Sequence, residues 1–187
     1  MAQLIYSAIS SLDHYIEDTH GSFDWAAPDE EVHAFINDLY RPAGVYLYGR
    51  RMYELMTAWE NDPNLAAESP LLGDFAAIWQ AAEKIVYSHS LAAATTRKTR
   101  IERRFDPQAV RQLKAASSQD LLIGGSELAS QAFQAGLVDE CQLFLAPVII
   151  GGGKRSLPGG LQLPLELLEQ RRFRSGMVFL RYRTRQG

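Results

Sequence analysis

The sequence predicts a three-layer α/β protein, in which helices cover both faces of a mixed, mostly parallel sheet with an antiparallel edge. Three observations lead to this fold class. Short apolar runs alternate with segments of helical periodicity, which is typical of strands connected through helices. The strand candidates are apolar at nearly every residue, as in sheets that are buried on both faces. The chain closes with two strand candidates around a short turn, which predicts an antiparallel hairpin.

The strand candidates are short runs rich in β-branched and aromatic residues that end in polar or glycine-rich segments. The first covers residues 3–10 and is followed by a polar, turn-prone stretch. Later candidates lie at 45–48, 84–88, 99–105, 120–126 (a strand that ends in a glycine turn) and 141–150. The final hairpin is predicted from strands at 172–174 and 177–184, with Ser175-Gly176 as its turn.

The helix candidates repeat apolar residues at three- and four-residue spacing. In residues 29–40 this spacing makes one apolar face, three acids occupy the first turn, and Pro42 ends the helix. The other helix predictions follow Arg51 and cover 75–82, 107–116 and 126–138. Residues 60–70 are predicted to form a loop.

Length and composition fit one domain that spans residues 1–187, because typical domains run about 100–200 residues and no repeat or linker interrupts the chain. The formal net charge of −3 offers no basic excess for a nucleic-acid partner. Cys141 is the single cysteine, so neither an intramolecular disulfide nor a Cys-x-x-Cys pair can form. No apolar run of about 18 residues and no basic leader are present, so we expect a cytoplasmic protein without membrane contact.

The segment Ile123-Gly124-Gly125-Ser126-Glu127-Leu128 lies where a predicted strand ends and a helix begins. Glycines at such a junction let main-chain N–H groups approach a phosphate. The segment is not a complete Gly-x-Gly-x-x-Gly motif, and the Lys-Ser/Thr of a P-loop does not follow. A tight turn with Ser126 as the helix N-cap explains the same residues.

A second strand-to-helix junction reads Tyr48-Gly49-Arg50-Arg51-Met52-Tyr53. A guanidinium group suits bidentate phosphate binding. Arginines at the start of a helix oppose its dipole unless an anion pairs with them. This conflict favours a phosphate site, and two solvated arginines are the alternative.

A third polar segment, Ser88-His89-Ser90, follows the strand predicted at 84–88. Two hydroxyls and an imidazole can contact a phosphate monoester, or they can form an ordinary polar loop. In open α/β sheets, ligands bind outside the carboxyl ends of the strands. Three strand ends with phosphate-compatible groups therefore indicate an anion-binding edge more strongly than any one of them.

Further short segments occur in a characteristic order along nearly the whole chain. They are Ser11-Leu12-Asp13-His14-Tyr15-Ile16, Gly21-Ser22-Phe23-Asp24-Trp25, residues 47–54, residues 122–126, residues 137–140 and residues 147–153. In this order they resemble the dihydrofolate-reductase-like superfamily. The closer resemblance is to the C-terminal reductase domain of the bifunctional riboflavin-biosynthesis deaminase-reductase and to its stand-alone bacterial relatives.

The resemblance implies a sheet of about eight strands and NADPH as the cofactor. It implies hydride transfer to a small heterocyclic substrate, as in 5-amino-6-(5-phosphoribosylamino)uracil reductase, with the cofactor carrying the reaction. It also implies a homodimer, for which the hairpin at 172–184 is the candidate surface. Two alternatives stay open, namely a genuine dihydrofolate reductase and a nucleotide-binding dimer without catalytic activity.

The resemblance also assigns site residues by position. The cofactor phosphates would meet Gly49, Arg50 and Arg51. The adenosine 2′-phosphate would lie near Ser88 and Ser90, with Arg50 as a charge partner. The pyrophosphate would be enclosed by Gly124, Gly125, Ser126 and Glu127. The nicotinamide would be bordered by Ala8 and Ile16.

On the substrate side, Asp24 is the candidate carboxylate, and Trp25 could stack on a planar heterocycle. The alternative is that Trp25 belongs to the core and Asp24 caps the following turn. The resemblance departs at His14, where the family often has glycine; His14 either avoids a positive φ or tolerates one. The buried acid of true dihydrofolate reductases has no secure counterpart, and Asp29, Glu30 and Glu31 are interpreted as solvated first-turn acids.

Other reaction classes lack their residues in this chain. The four histidines show no metal-ligand spacing with each other or with acids, and His-x-x-x-His is absent. Gly-x-Ser-x-Gly is also absent. Cys141 is expected to be buried rather than nucleophilic. Metalloenzyme and hydrolase functions are therefore not predicted.

Overall fold

A computed structural model describes residues 1–185 and places the apolar runs in one central sheet. The strands are Leu4–Ser11 (β1), Tyr15–Glu17 (β2), Ala43–Gly49 (β3), Glu83–Tyr87 (β4), Thr99–Glu102 (β5), Asp120–Gly124 (β6), Glu140–Ala146 (β7), Lys154–Arg155 (β8), Leu165–Arg172 (β9) and Val178–Thr184 (β10). Eight of them form the sheet in the order β5-β4-β3-β6-β1-β7-β10-β9. All pairings from β5 to β7 are parallel, whereas β7–β10 and β10–β9 are antiparallel. The predicted fold class is confirmed.

Helices cover both faces of this sheet. They are Glu30–Tyr40 (α1), Arg50–Met56 (α2), Ala58–Asn61 (α3), Pro63–Ala67 (α4), Pro70–Ala81 (α5), Pro107–Ala116 (α6) and Ser126–Gln134 (α7), with a short 3-10 turn at Asp24–Ala26. Because successive side chains of a strand point to opposite faces, Leu4 and Tyr6 pack with α6 and α7, whereas Ile5 packs with α1 and α5. The three layers follow from this alternation.

Helix α1 begins one residue later than predicted, because Asp29 is its N-cap. The Asp29 carboxylate accepts a hydrogen bond from the Val32 amide at 2.9 Å, a contact typically worth about 1 kcal/mol. Glu31 accepts from the Arg174 amide at 3.1 Å and lies 3.8 Å from the Arg171 guanidinium. Asp29 and Glu30 are exposed, as expected of solvated acids, whereas Glu31 is half-buried and pairs with these arginines.

Residues 60–70 are mostly helical where a loop was predicted. They contain the end of α3, the whole of α4 and the start of α5, which begins five residues before the predicted 75–82. The side chains of Asp62 and Ser69 cap α4 and α5, and Pro63 and Pro70 follow them at the first helical position. Proline is favoured there because its fixed φ suits the helix and its missing N–H has no partner to lose. The prolines were taken as loop residues but start helices.

The C-terminal hairpin has a longer first strand than predicted. Strand β9 covers Leu165–Arg172 rather than 172–174, and its mixed polarity reflects its place at the edge of the sheet. The predicted turn is confirmed, since Gly176 has φ 87° and the Phe173 amide bonds to the Met177 carbonyl. Two other strands end early, β7 at Ala146 instead of 150 and β5 at Glu102 instead of 105.

The two-residue strand β8 and the three-residue strand β2 form a small antiparallel ribbon that the sequence did not predict. Hydrogen bonds to the Asp13 side chain and to the His14 carbonyl hold this ribbon in place. The Asp13 carboxylate accepts from the amides of Ile150 and Gly151 at 3.2 and 2.8 Å. The His14 carbonyl accepts from the Ser156 amide at 2.9 Å and from the Ser156 hydroxyl at 3.2 Å. His14 has φ 65°, so it adopts the positive φ that the family's glycine would adopt freely.

The ribbon requires glycine at position 153, and this requirement can be tested. Gly153 has φ 136°, and a Cβ there would overlap the carbonyl oxygen of Glu17. We expect Gly153→Ala to lower the free energy of unfolding by about 2–4 kcal/mol, from backbone strain and overlap combined. Gly159→Ala is the control, because no atom lies within 4 Å of its Cβ position, and should stay within about 1 kcal/mol of wild type. Urea denaturation measures the free energy of unfolding of both variants. Equal stabilities would contradict the close approach of Gly153 to the Glu17 carbonyl.

Candidate functional site

The carboxyl ends of the parallel strands place several loops at one edge of the sheet. Strands β3 and β6 are neighbours, with Tyr48 paired to Gly124. After β3 the chain continues to β4 on one side, and after β6 it continues to β7 on the other. Adjacent strands whose connections leave in opposite directions open a crevice at their carboxyl ends. The two glycine junctions of the sequence therefore border the same crevice.

The glycines at this crevice are required for different reasons. A Cβ on Gly124 would lie 2.9 Å from Cε1 of Tyr48, so packing demands glycine there. Gly125 has φ 88° and is the N-cap of α7, which corrects the alternative in which Ser126 is the cap. Gly49 has an ordinary φ of −75°, and no heavy atom lies within 4 Å of its Cβ position. No internal contact requires glycine at position 49, because the direction that a side chain would take there is open.

Arg50 and the serine loop after β4 meet beside this crevice. The Arg50 guanidinium donates to the Ser90 hydroxyl at 3.1 Å. The buried Ser88 hydroxyl accepts from the amides of Ser90 and Leu91 at 3.3 and 3.0 Å. Tertiary structure thus brings together the two segments that the resemblance assigned to one phosphate.

Arg103 organises the same loop and was missed by sequence reasoning. One nitrogen of its guanidinium donates to the carbonyls of Ser88, His89 and Leu91 at 3.1, 3.4 and 2.7 Å. These bonds hold the loop turned toward Arg50. Arg103 lies 15 residues after Ser88 in a stretch that contains several other basic residues, so the sequence did not single it out for this role.

Arg51 and Glu127 are both engaged by the ribbon. The Arg51 guanidinium lies 3.6 Å from the Glu17 carboxylate, and Glu127 lies 2.8 Å from Nζ of Lys154. The hydrogen bond and charge of Lys154 hold the pKa of Glu127 below its usual value, and Arg51 adds to this effect. A carboxylate repels phosphate, so only the main chain of Glu127 is suited to a pyrophosphate. Lys154 was not among the predicted site residues.

Strand β1 is open to solvent near the middle of the sheet. Although it lies between β6 and β7, its residues Ser7, Ala8 and Ile9 are only half-buried, in contrast to the buried Leu4 and Tyr6. Ala8 packs with the α6 and α7 side and Ile9 with the α1 and α5 side. Ile16 lies on the ribbon in β2, also half-buried.

Asp24 and Trp25 lie in the 3-10 turn that contacts β1. Asp24 is exposed and accepts from the Ser22 hydroxyl at 3.2 Å; the helix that follows is capped by Asp29 instead. Trp25 is half-buried and packs against the core cluster under α1 and α5, so part of its ring belongs to the core and part stays accessible. Its indole Nε1 is buried and has no hydrogen-bond partner within residues 1–185.

The model of the RibD C-terminal domain family matches residues 2–179. The chain belongs to this family. The suspected resemblance to the riboflavin-type reductase domain is therefore confirmed, over nearly the whole chain.

Other known proteins are similar to this chain over most of its length. The uncharacterized protein YyaP of Bacillus subtilis (strain 168) is 27% identical over 195 residues, covering 96% of this chain and 94% of its own. A solved structure from Shewanella sp. PV-4, named as a riboflavin biosynthesis protein, has a TM-score of 0.76 at 18% identity, with both chains fully covered. A pyrimidine reductase-like protein of Corynebacterium diphtheriae has a TM-score of 0.67 at 15% identity, covering 100% of this chain and 93% of its own.

A longer protein of the same fold has two activities in its name. The Thermotoga maritima diaminohydroxyphosphoribosylaminopyrimidine deaminase/5-amino-6-(5-phosphoribosylamino)uracil reductase has a TM-score of 0.65 at 16% identity. The present chain covers 56% of that protein, which in turn matches 98% of this chain. At these identities the solved structures show a shared fold.

Other features of this RibD C-terminal domain lie away from the crevice. Burial raises the pKa of the Cys141 thiol to about 12, so the thiol stays protonated at neutral pH.

Within residues 1–185, no three His, Cys, Asp or Glu side chains are placed to hold a metal ion. No helix in that range is long and apolar enough to cross a membrane. Surface cavities of about 440 and 360 Å³ lie at the opposite edge of the sheet, beside Lys114 and beside Gln119.

The environments of the glycines predict which of them can be substituted without harming the fold. Packing on Tyr48 makes Gly124 structural, and the positive φ does the same for Gly125. We expect Gly124→Ala to cost about 1–3 kcal/mol of unfolding free energy, and Gly49→Ala less than about 1 kcal/mol. Chemical denaturation compares the two variants. A Gly49 variant as unstable as Gly124→Ala would show that Gly49 is structural too.

Proposed function

We propose that this protein is an NADPH-dependent reductase that transfers hydride to a small pyrimidine-like heterocycle. Membership of the RibD C-terminal domain family supports a pyrimidine reductase-like activity. The observation that carries the choice of cofactor is the contact between Arg50 and Ser90 beside the buried Ser88. The substrate resembles that of the 5-amino-6-(5-phosphoribosylamino)uracil reductases, such as the Thermotoga maritima relative.

Arg50, Ser88 and Ser90 form a group, here called the Arg50 cluster, that is suited to the adenosine 2′-phosphate of NADPH. Its guanidinium is half exposed, and its only acidic neighbour is Glu54 at 3.7 Å among the residues described. Guanidinium and hydroxyl groups together complement a phosphate monoester, because charge-assisted bonds are about twice as strong as neutral ones. NADH lacks this phosphate, so the cluster predicts discrimination between the two cofactors.

The remaining groups of the crevice fit a dinucleotide. The open space beside Gly49 lets a ligand approach the main chain, and the junction at Gly124 and Gly125 offers main-chain N–H groups at the start of α7. Arg51 adds a second cation. Ala8 and Ile16 are half-buried, so part of each side chain is accessible to a nicotinamide ring. When bound, the nicotinamide supplies the hydride.

The substrate side contributes an acceptor and an aromatic ring. The exposed carboxylate of Asp24 can accept hydrogen bonds from ring or exocyclic N–H groups, and the half-buried ring of Trp25 can stack on a planar heterocycle. Asp24 is also our candidate for the group that exchanges a proton with the reduced centre, directly or through water. In α1, Asp29 caps the helix and Glu31 pairs with arginines, so neither offers the free carboxylate that a pterin would need.

The preference for NADPH can be tested at Arg50. We expect Arg50→Ala to weaken NADPH binding roughly 10-fold to 100-fold, since a charge-assisted contact is lost, and to change NADH binding less than about 3-fold. Quenching of tryptophan fluorescence measures both affinities. Arg111→Ala, an exposed arginine at the opposite edge of the sheet, is the matched control. Equal losses for both cofactors would exclude the 2′-phosphate contact.

The proposal includes a homodimer formed through β9. Strand β10 lies inside the sheet, so of the hairpin only β9 offers an edge for pairing. Glu166 lies near one end of this strand and Arg171 and Arg172 at the other, while Leu167 is 50% exposed. An antiparallel copy related by a two-fold axis would set acidic residues against basic ones and cover the exposed leucine.

The oligomeric state provides its own test. We expect Leu167→Lys to shift the protein from dimer to monomer in light scattering coupled to size exclusion, because a buried unpaired ammonium is costly. Leu161→Lys changes a 38% exposed leucine outside the strand and should leave the dimer intact. A wild-type monomer would refute the dimer while leaving the reductase proposal standing.

A further inference from the structure

The ribbon of β2 and β8 reaches both glycine junctions of the crevice. From β2, Glu17 contacts Arg51 directly after β3; from β8, Lys154 contacts Glu127 directly after β6. Glu17 and Lys154 are themselves paired residues of the ribbon. Two cations and two carboxylates therefore alternate at the entrance of the crevice, in the order Arg51, Glu17, Lys154 and Glu127.

The two partners of the Lys154–Glu127 pair differ in how firmly they are held. The Lys154 side chain is 23% exposed, and its strand is anchored by the tight crossing of Gly153 over Glu17. The Glu127 side chain is 82% exposed. An exposed carboxylate gains little from such a pair and can move away from it. The backbone that carries Lys154 is thus held and its side chain is mostly covered, whereas the exposed carboxylate is its replaceable partner.

The Glu127 carboxylate occupies a position suited to an anion. It lies beside Lys154 and within the field of Arg51, two residues after Gly125. A pyrophosphate carries more charge and more acceptor oxygens than a carboxylate, so it would compete successfully for the same cations. We propose that Lys154 is a pyrophosphate-binding residue, and that the Glu127 carboxylate is an internal stand-in that leaves when the ligand binds.

This inference rests on the proposed dinucleotide site, but it concerns a different phosphate from that of Arg50. The Arg50 cluster lies with Ser88 and Ser90 after β4, whereas Lys154 reaches the junction after β6. NADPH and NADH share the pyrophosphate. Loss of Lys154 should therefore weaken both cofactors equally, unlike loss of Arg50.

The test compares charge-neutral variants on the two sides of the pair. We expect Lys154→Gln to bind NADPH and NADH roughly 10-fold to 100-fold more weakly. Glu127→Gln should bind both about 2-fold to 5-fold more tightly, since the competing carboxylate is removed. In the double variant the gain from Glu127→Gln should vanish, because it acts through Lys154. Arg155→Gln, the same charge change on the adjacent residue of the ribbon, is the control and should bind as wild type.

Fluorescence titration gives the affinities, and thermal denaturation confirms that each variant is folded. If Lys154→Gln binds as wild type, or no more weakly than Arg155→Gln, Lys154 does not contact the pyrophosphate. Weaker binding by Glu127→Gln would mean that the carboxylate supports the ligand, which contradicts the stand-in role. If wild type itself binds neither cofactor, the reductase proposal falls and takes this inference with it. Should Lys154→Gln fail to fold, Glu127→Gln still decides the question.

Discussion

The pairing of β6 between β1 and β3 is the constraint on which the site depends. It sets Gly124 beside Tyr48. Strands β3 and β6 therefore end next to each other, and the chain leaves them in opposite directions. Parallel pairing is needed for this arrangement, because only then do the carboxyl ends of sequence-distant strands share an edge. The Arg50 segment and the Gly124-Gly125 turn are more than 70 residues apart in sequence and are brought together by this one strand.

The ribbon depends on a local conformation that is unfavourable by itself. His14 keeps a positive φ because its carbonyl is fixed by Ser156 and the preceding Asp13 binds two amides of the 150–151 segment. A hydrogen bond from the Ser11 side chain and those amides hold the pKa of Asp13 below its usual value, so the carboxylate remains an acceptor. Strain of this kind persists where surrounding contacts over-determine the backbone. The result is a ribbon whose position is set by the β1 and β7 ends.

Local sequence rules failed where a residue type has two structural uses. Pro63 and Pro70 were taken as loop residues, but each occupies the first position of a helix behind a capping side chain. Strand β9 was largely missed because an edge strand need not be apolar on both faces. The β2–β8 ribbon has three residues on one side and two on the other, too few for periodicity to register. Its existence follows from long-range contacts alone.

By itself the sequence determined the layer architecture, the parallel centre of the sheet and the junctions that carry glycine and arginine. These follow from periodicity and from residue chemistry, which act over a few neighbouring positions. Tertiary structure decided that Arg50 faces Ser90, that Arg103 holds their loop, and that Glu127 pairs with Lys154. Such partners lie 12 to 40 residues apart along the chain. No local sequence pattern indicates which of these residues meet, because strand order and the close approach of Gly153 to Glu17 determine their contacts.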